Sequence, residues 1–306
     1  LIGFFPELCQ MDHVGSMDFK RVAVFGPGLL GGSLARAIRQ RAGDSVAVQI
    51  WGRREEPLRE LLAEGSATLA STDPAEAAAG ADLVILAMTI GAMRPCLEPV
   101  IAAEALAPGA VVTDVGSVKG PVVAELESLV ADAGGYFIGS HPMAGSEQKG
   151  LAHASADLFE GAACLITPTE ASQEAAVERI DAFWQWLGCR TSRLNPKDHD
   201  ETVARISHLP HLVAALVVEA ALRQDPGAAA YAGGGFRDTT RVASGPADMW
   251  TEILLENRDA VRETLAQFHA LTGETLAFLD GWKKEDLHRL LADAKERRDR
   301  LRVSPS

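Results

Sequence analysis

Short apolar runs alternate with helical patterns from residue 20 to residue 195, and the alternation stops at Asn195-Pro196. This constrains the fold more than any other property of the chain. Runs over residues 21–25, 46–51, 83–88, 110–114, 136–138, 162–167 and 190–194 read as strands. Between them, residues 29–41, 57–64, 74–80, 94–101, 121–131 and 172–187 carry helical spacing. Strand and helix in alternation build right-handed crossover units. The expected product is a mostly parallel, doubly wound sheet with helices on both faces.

Beyond Pro196 there is no convincing strand pattern. Residues 197–223, 247–272 and 275–302 show helical periodicity. Pro210 falls inside the first of these and is expected to kink or break it, because its ring meets the preceding turn and it has no N–H to donate. Ala and Leu occupy more than one face of these helices. That predicts burial on several sides, as in an intertwined homodimer, ahead of a monomeric helical cap. The expected class is α/β plus all-α: a Rossmann-type doubly wound domain over residues 17–195, and a helical substrate and dimerisation domain over residues 196–306. Residues 1–16 match neither pattern and read as a leader or tail. Residues 1–5 are apolar, but no basic segment precedes them, so a signal peptide is not expected.

Composition narrows the function classes. With 47% apolar and 23% charged residues, the chain reads as a soluble globular protein. A net charge of −13 argues against nucleic acid as a partner, since a basic face supplies most of that affinity. Cys9, Cys96, Cys164 and Cys189 are scattered, with no metal-ligand spacing, and read as free thiols in a reducing cytoplasm. No metal site is expected. No apolar run looks long and uncharged enough to span a bilayer, so no membrane partner is expected either.

Two segments carry chemistry on their own. Gly26-Pro27-Gly28-Leu29-Leu30-Gly31 has the GxGxxG form, follows a predicted strand and opens a predicted helix. In that context it reads as a dinucleotide turn. Gly26 permits the tight turn, Gly28 lets a pyrophosphate approach the backbone, and Gly31 lets helix and strand pack closely. The next strand ends in Gly52-Arg53-Arg54-Glu55-Glu56. Arg53 and Arg54 stand where an acidic residue would hold the ribose of NAD, which favours NADP; Glu55 and Glu56 come slightly late in the register. The second segment is Gly139-Ser140-His141-Pro142-Met143-Ala144-Gly145-Ser146-Glu147-Gln148-Lys149-Gly150. Its Gly, Pro and Ser content predicts a loop leaving a strand end, with His141 available for acid–base chemistry.

Three further segments complete the pattern: Thr113-Asp114-Val115-Gly116-Ser117-Val118-Lys119, Ile206-Ser207-His208-Leu209-Pro210-His211, and Gly233-Gly234-Gly235-Phe236-Arg237-Asp238-Thr239-Thr240-Arg241-Val242-Ala243, followed by Asp248-Met249-Trp250. Together with the His141 loop, these resemble the prephenate dehydrogenase family, which includes arogenate dehydrogenases. The resemblance runs from about Arg21 to about Leu290, with the segments in family order. It implies oxidation of prephenate or arogenate with NAD(P)+ and release of CO2, on the route to tyrosine. It also implies a homodimer built through the C-terminal helices. His141 matches the family's catalytic histidine, and Ser117 the serine that contacts the same ring hydroxyl. Arg241 matches the arginine that binds a substrate carboxylate, and His208 a substrate-contacting histidine. Glu147, Asp238 and Trp250 match polar and gating positions around the pocket.

The residues also leave other readings open. A β-hydroxyacid dehydrogenase has a similar division, but the catalytic Lys it needs is not evident in residues 197–223, and His141 would have no role. An NADP-binding dimeric sensor would need no proton acceptor. Lys119 reads either as a support for the nucleotide loop or as a solvent-facing charge. Thr89-Ile90-Gly91 departs from the Pro-Val of many relatives. No regulatory module is expected after the third C-terminal helix.

Overall fold

The computed structural model describes residues 17–145 and 148–301, and the chain divides into two compact units at Pro196–Lys197. The first unit holds one eight-stranded sheet: β1 (Arg21–Phe25), β2 (Ala47–Trp51), β3 (Leu69–Ser71), β4 (Leu83–Leu86), β5 (Val111–Asp114), β6 (Tyr136–Pro142), β7 (Ala163–Thr167) and β8 (Arg190–Arg193). Their order is β3-β2-β1-β4-β5-β6-β7-β8. Every neighbouring pair is parallel except β6 with β7. β1 and β4 are apolar almost throughout and buried on both sides, as parallel strands between helical layers must be. The chain leaves β1 toward β2 on one side and later returns to β4 on the other. The carboxyl ends of β1 and β4 therefore flank the crevice where such sheets bind ligands.

Two strands differ from the sequence reading. β3 is an additional strand of three residues, too short to show a period of its own; it exists because Gln49–Trp51 of β2 offers it a parallel ladder. β6 runs four residues past Ile138, so His141 lies in a strand and not in the expected loop. The cause is tertiary: β7 pairs with Gly139, Ser140, His141 and Pro142 from the antiparallel side, which overrides their weak strand propensity.

Helices α1 (Leu29–Ala42), α2 (Glu55–Ala63), α3 (Pro74–Ala77), α4 (Ile90–Ala102), α5 (Gly120–Asp132) and α6 (Glu174–Trp186) connect the strands. In the second unit, α7 (Pro196–Val203), a π turn (Ala204–His208) and α8 (Leu209–Leu222) form one continuous helix of 27 residues. Pro210 neither breaks nor ends it. The π turn just before the proline takes up the lost i→i−4 bond by shifting the hydrogen-bond register. Because the helix is unbroken, it is long and apolar enough, by length and composition alone, to cross a bilayer, which corrects the expectation from the sequence. It carries buried His199, Asp200, His208 and His211 and belongs to a helical unit that bonds several of these groups internally.

Helix α9 (Gly234–Thr240) begins inside the expected glycine-rich loop, and α10 (Ala247–Glu256), α11 (Arg258–Asp280) and α12 (Lys284–Asp299) follow. The expected break near Gly273 is absent, because a long helix absorbs the roughly 1 kcal/mol that one glycine costs. The real breaks fall at Asn257, whose amide is buried and hydrogen-bonded, and at Gly281-Trp282, where Trp282 has φ +49°.

Candidate functional site

The turn after β1 is built for close approach. Gly26 has φ +108°, and its N–H donates to Trp51 O at 2.9 Å. A Cβ at Gly26 would fall on Ala87 O, and a Cβ at Gly31 would fall on Gly26 O. Only glycine fits at either position. Gly28 is different: nothing lies within 4 Å of where its Cβ would stand, so the space over the start of α1 is open. No side chain caps α1 and no acidic residue occupies its first turn, which contains Leu29 and Leu30. Exposed N–H groups and the positive end of the helix dipole are thus left to an anion. A cavity of about 400 Å³ extends from this turn and is lined by Gly26, Pro27, Gly28, Trp51, Gly52, Arg53, Arg54, Met88, Thr89 and Cys96, among others. The open space at Gly28, the uncapped start of α1 and the cavity beside them have the chemistry and room for a dinucleotide.

Arg53 and Arg54 are exposed at the cavity wall and carry no hydrogen bond or ion pair among the described residues. Glu55 is engaged by Arg59 one turn along α2. Burial pushes the Cys96 thiol up from its ordinary pKa, with the nearby Arg53 charge opposing the shift.

At the carboxyl ends of β5 and β6 lies a buried polar cluster that the sequence reading did not assemble. Asp114 and Lys119 are wholly buried and form an ion pair with each other. Lys119 Nζ also donates to Ser140 O at 2.8 Å. Asp114 Oδ1 accepts from Ser140 N–H at 3.2 Å, and Asp114 Oδ2 accepts from Gly116 N–H at 2.8 Å. The Thr113 and Ser140 hydroxyls meet at 2.8 Å. Ser117 and His141 follow directly on Gly116 and Ser140. Ser117 is half-buried, and His141 is 7% exposed, paired in register with Leu165 of β7. The signal available in sequence is an Asp and a Lys just past the apolar run Ala110–Val112. Lys119 does not face solvent. Glu147 lies outside the described residues.

In the second unit, His208 and His211 are buried and both meet Trp250. His211 stacks on it with centroids 3.5 Å apart and planes at 13°, and His208 meets it edge-on at 6.2 Å. Burial holds the His211 imidazole below its ordinary pKa. Asn257 Nδ2 donates to Asp200 O at 2.8 Å and to His208 Nδ1 at 3.2 Å. His208 Nδ1 is therefore the acceptor nitrogen, and the ring presents Nε2–H as a donor. His199 Nδ1 and Asp200 Oδ1 are 2.7 Å apart. Asp238 on α9 and Arg241 just beyond its end are exposed. Asn257 and Asp200 were not singled out from sequence. Among the described residues, no cluster of His, Cys, Asp or Glu has the makings of a metal site.

A glycine turn of this form at the switch point of a doubly wound sheet, followed by a separate helical unit, defines a two-domain dinucleotide-binding protein. Comparison with known proteins narrows the class. The model of the prephenate dehydrogenase nucleotide-binding domain matches residues 34–193, and that of the prephenate dehydrogenase dimerization domain matches residues 195–293. The prephenate dehydrogenase of Bacillus subtilis (strain 168) is 31% identical over 286 residues, covering 92% of this chain and 76% of its own. Among solved structures, the prephenate dehydrogenase of Aquifex aeolicus in complex with hydroxyphenyl propionate and NAD+ superposes with a TM-score of 0.85 at 28% identity, over 93% of this chain and 99% of that one. The arogenate dehydrogenase of Synechocystis gives a TM-score of 0.76 at 30% identity, over 91% and 99% of the two chains. The chain belongs to the prephenate dehydrogenase family.

Proposed function

We propose that the chain oxidises and decarboxylates prephenate, arogenate or both with a nicotinamide dinucleotide, on the route to tyrosine in the cytoplasm. The observation that carries this reading is a buried histidine, His141, at the carboxyl end of β6, three strands from the glycine turn in a parallel sheet. At the usual strand spacing this is about 14 Å along the sheet edge. Its relatives act on these substrates by name, and the Aquifex aeolicus enzyme is solved in complex with NAD+.

When bound, the cofactor supplies the hydride acceptor. His141 takes the proton of the substrate's ring hydroxyl, for which the imidazole must start neutral, and Ser117 hydrogen-bonds the same hydroxyl. The substrate's ring carboxylate departs as CO2, and the electron pair of the broken bond completes the aromatic ring. Aromatisation supplies the driving force, so the protein's task is positioning. Arg241 offers a guanidinium fork to a substrate carboxylate, and His208 offers the substrate an Nε2–H donor. Asp238, Trp250 and Glu147 are assigned to substrate binding on the family resemblance alone. Gly26, Gly28, Leu29, Leu30 and Gly31 cradle the pyrophosphate, and the unengaged Arg53 and Arg54 favour the 2′-phosphate of NADP. The exposed apolar faces of the helical unit support a homodimer.

The test is His141→Asn, assayed for turnover and, separately, for cofactor binding. Turnover is expected to fall by roughly 10²–10⁴-fold, the range for loss of a general base, with cofactor affinity unchanged. Near-normal turnover would reject His141 as the proton acceptor.

A further inference from the structure

β5 and β6 run as a parallel ladder only as far as Thr113 and Ile138. From Gly139 onward β6 takes β7 as its backbone partner on the other side. The edge of Ser140 that faces β5 is completed by side chains instead. Its N–H goes to Asp114 Oδ1, and its carbonyl takes the Lys119 ammonium. The second oxygen of the same carboxylate holds Lys119 and the Gly116 N–H. One buried carboxylate thus grips the residue before Ser117 and the residue before His141.

The surroundings are fitted to this pair. A Cβ at Gly116 would stand 2.8 Å from Asp114 Oδ2, and one at Gly139 would press on Thr167 Oγ1 and stand 3.3 Å from Lys119 Cδ. Removing two charges from water is costly, and an apolar pair of equal volume would hold the strands at least as well. Such a pair would offer no donor or acceptor to Ser140 and Gly116. What the ion pair adds is geometry.

We propose that Asp114 and Lys119 are positioning residues: their ion pair extends the β5–β6 ladder through side chains and fixes Ser117 and His141 in one arrangement. The inference rests on His141 being the proton acceptor. It also explains why the segments around Ser117 and His141 carry an Asp, a Lys and two glycines to which the proposed reaction gives no contact with substrate or cofactor.

The test is a double-mutant cycle between the charge-free variant Asp114→Asn/Lys119→Met and His141→Asn. The charge-free variant is expected to lose roughly 10–100-fold in kcat, the scale of a small misplacement of reacting groups. KM for substrate and cofactor should stay within about threefold, since neither ligand is touched. In the His141→Asn background the same two substitutions should cost less than about twofold more, because the geometry they protect has lost its user. A full multiplicative loss in that background, or an unchanged kcat in the charge-free variant, would overturn the proposal. Wild-type turnover in His141→Asn alone would instead remove the proton-acceptor reading on which it rests, and that result is visible without any change at Asp114 or Lys119. If the charge-free variant fails to fold, Asp114→Asn/Lys119→Gln, which leaves no buried charge unpaired and keeps one acceptor and one donor, is put through the same cycle and read in the same way.

Discussion

The two units bury their groups in opposite ways. In the first, the strands β1, β2, β4 and β5 are buried apart from Arg21 and Ala47 at the starts of β1 and β2, and the deepest charges, Asp114 and Lys119, are paired within the unit. In the second, only Val203, Ala204, Ala214, Ile253 and Val261 are buried apolar residues among those described, while Ile206, Leu255, Leu276, Leu279, Trp282 and Leu291 stand exposed. Its interior is polar instead, built on His199, Asp200, His208 and Asn257. A doubly wound sheet closes its own core. A helical unit with apolar faces turned outward needs another surface to finish it, and in the proposed homodimer a second copy of the chain supplies one.

The contrast can be broken from either side. The largest effect is expected from Lys119→Met, which leaves Asp114 buried and unpaired. The first unit should lose about 3–5 kcal/mol of stability, seen as a lower midpoint in denaturant unfolding followed by circular dichroism. A change under about 1 kcal/mol would mean that water reaches the carboxylate. Next comes Leu276→Glu/Leu279→Glu, two exposed positions one turn apart on α11. Charge on this face is expected to remove about 3 kcal/mol from the proposed dimer, or about 100-fold in dimer affinity. Sedimentation velocity should then show monomers with cofactor binding intact; an unchanged dimer would show that this face is not the interface.

A smaller effect is expected from Arg53→Ala/Arg54→Ala. These exposed guanidinium groups should contribute about tenfold to kcat/KM with NADP+ and nothing with NAD+. Equal losses with both cofactors would place them outside 2′-phosphate recognition. The smallest effect concerns pH. Burial depresses the pKa of His211 in the folded chain below its ordinary value of 6.5. As pH falls through 6.5, the unfolded chain binds a proton that the folded chain does not, so the second unit should lose stability between 6.5 and the lower folded value. His211→Gln should flatten that part of the melting profile, and an unchanged slope would assign it to other groups.

Much of the fold is legible in the sequence alone. Residues 21–25 and 83–88 read as strands because continuous apolar runs have few other uses, and β1 and the first four residues of the second run are strands in the structure. The glycine turn reads from its context, because close approach of backbone to backbone demands glycine at fixed steps. Long-range partners decide the rest. β6 reaches Pro142 only because β7 stands beside it, so the local sequence makes His141 a loop residue. Lys119 is as easily an exposed charge, since nothing local announces that Asp114 and Ser140 O will meet it. Residues 197–223 read as a helix kinked or broken at Pro210, because local rules for proline do not foresee a π turn. Asn257, in the middle of an expected helix, is a break held by Asp200 O and His208, both about 50 residues away in sequence.

The most direct measurement is the absorbance of reduced nicotinamide on mixing the purified chain with prephenate or arogenate and NAD+ or NADP+. A rise is expected with at least one of the two substrates, faster with NADP+ than with NAD+, and with CO2 and an aromatic product formed in equal amounts. No rise in any of the four mixtures, from a folded chain that still binds the cofactor, would contradict it.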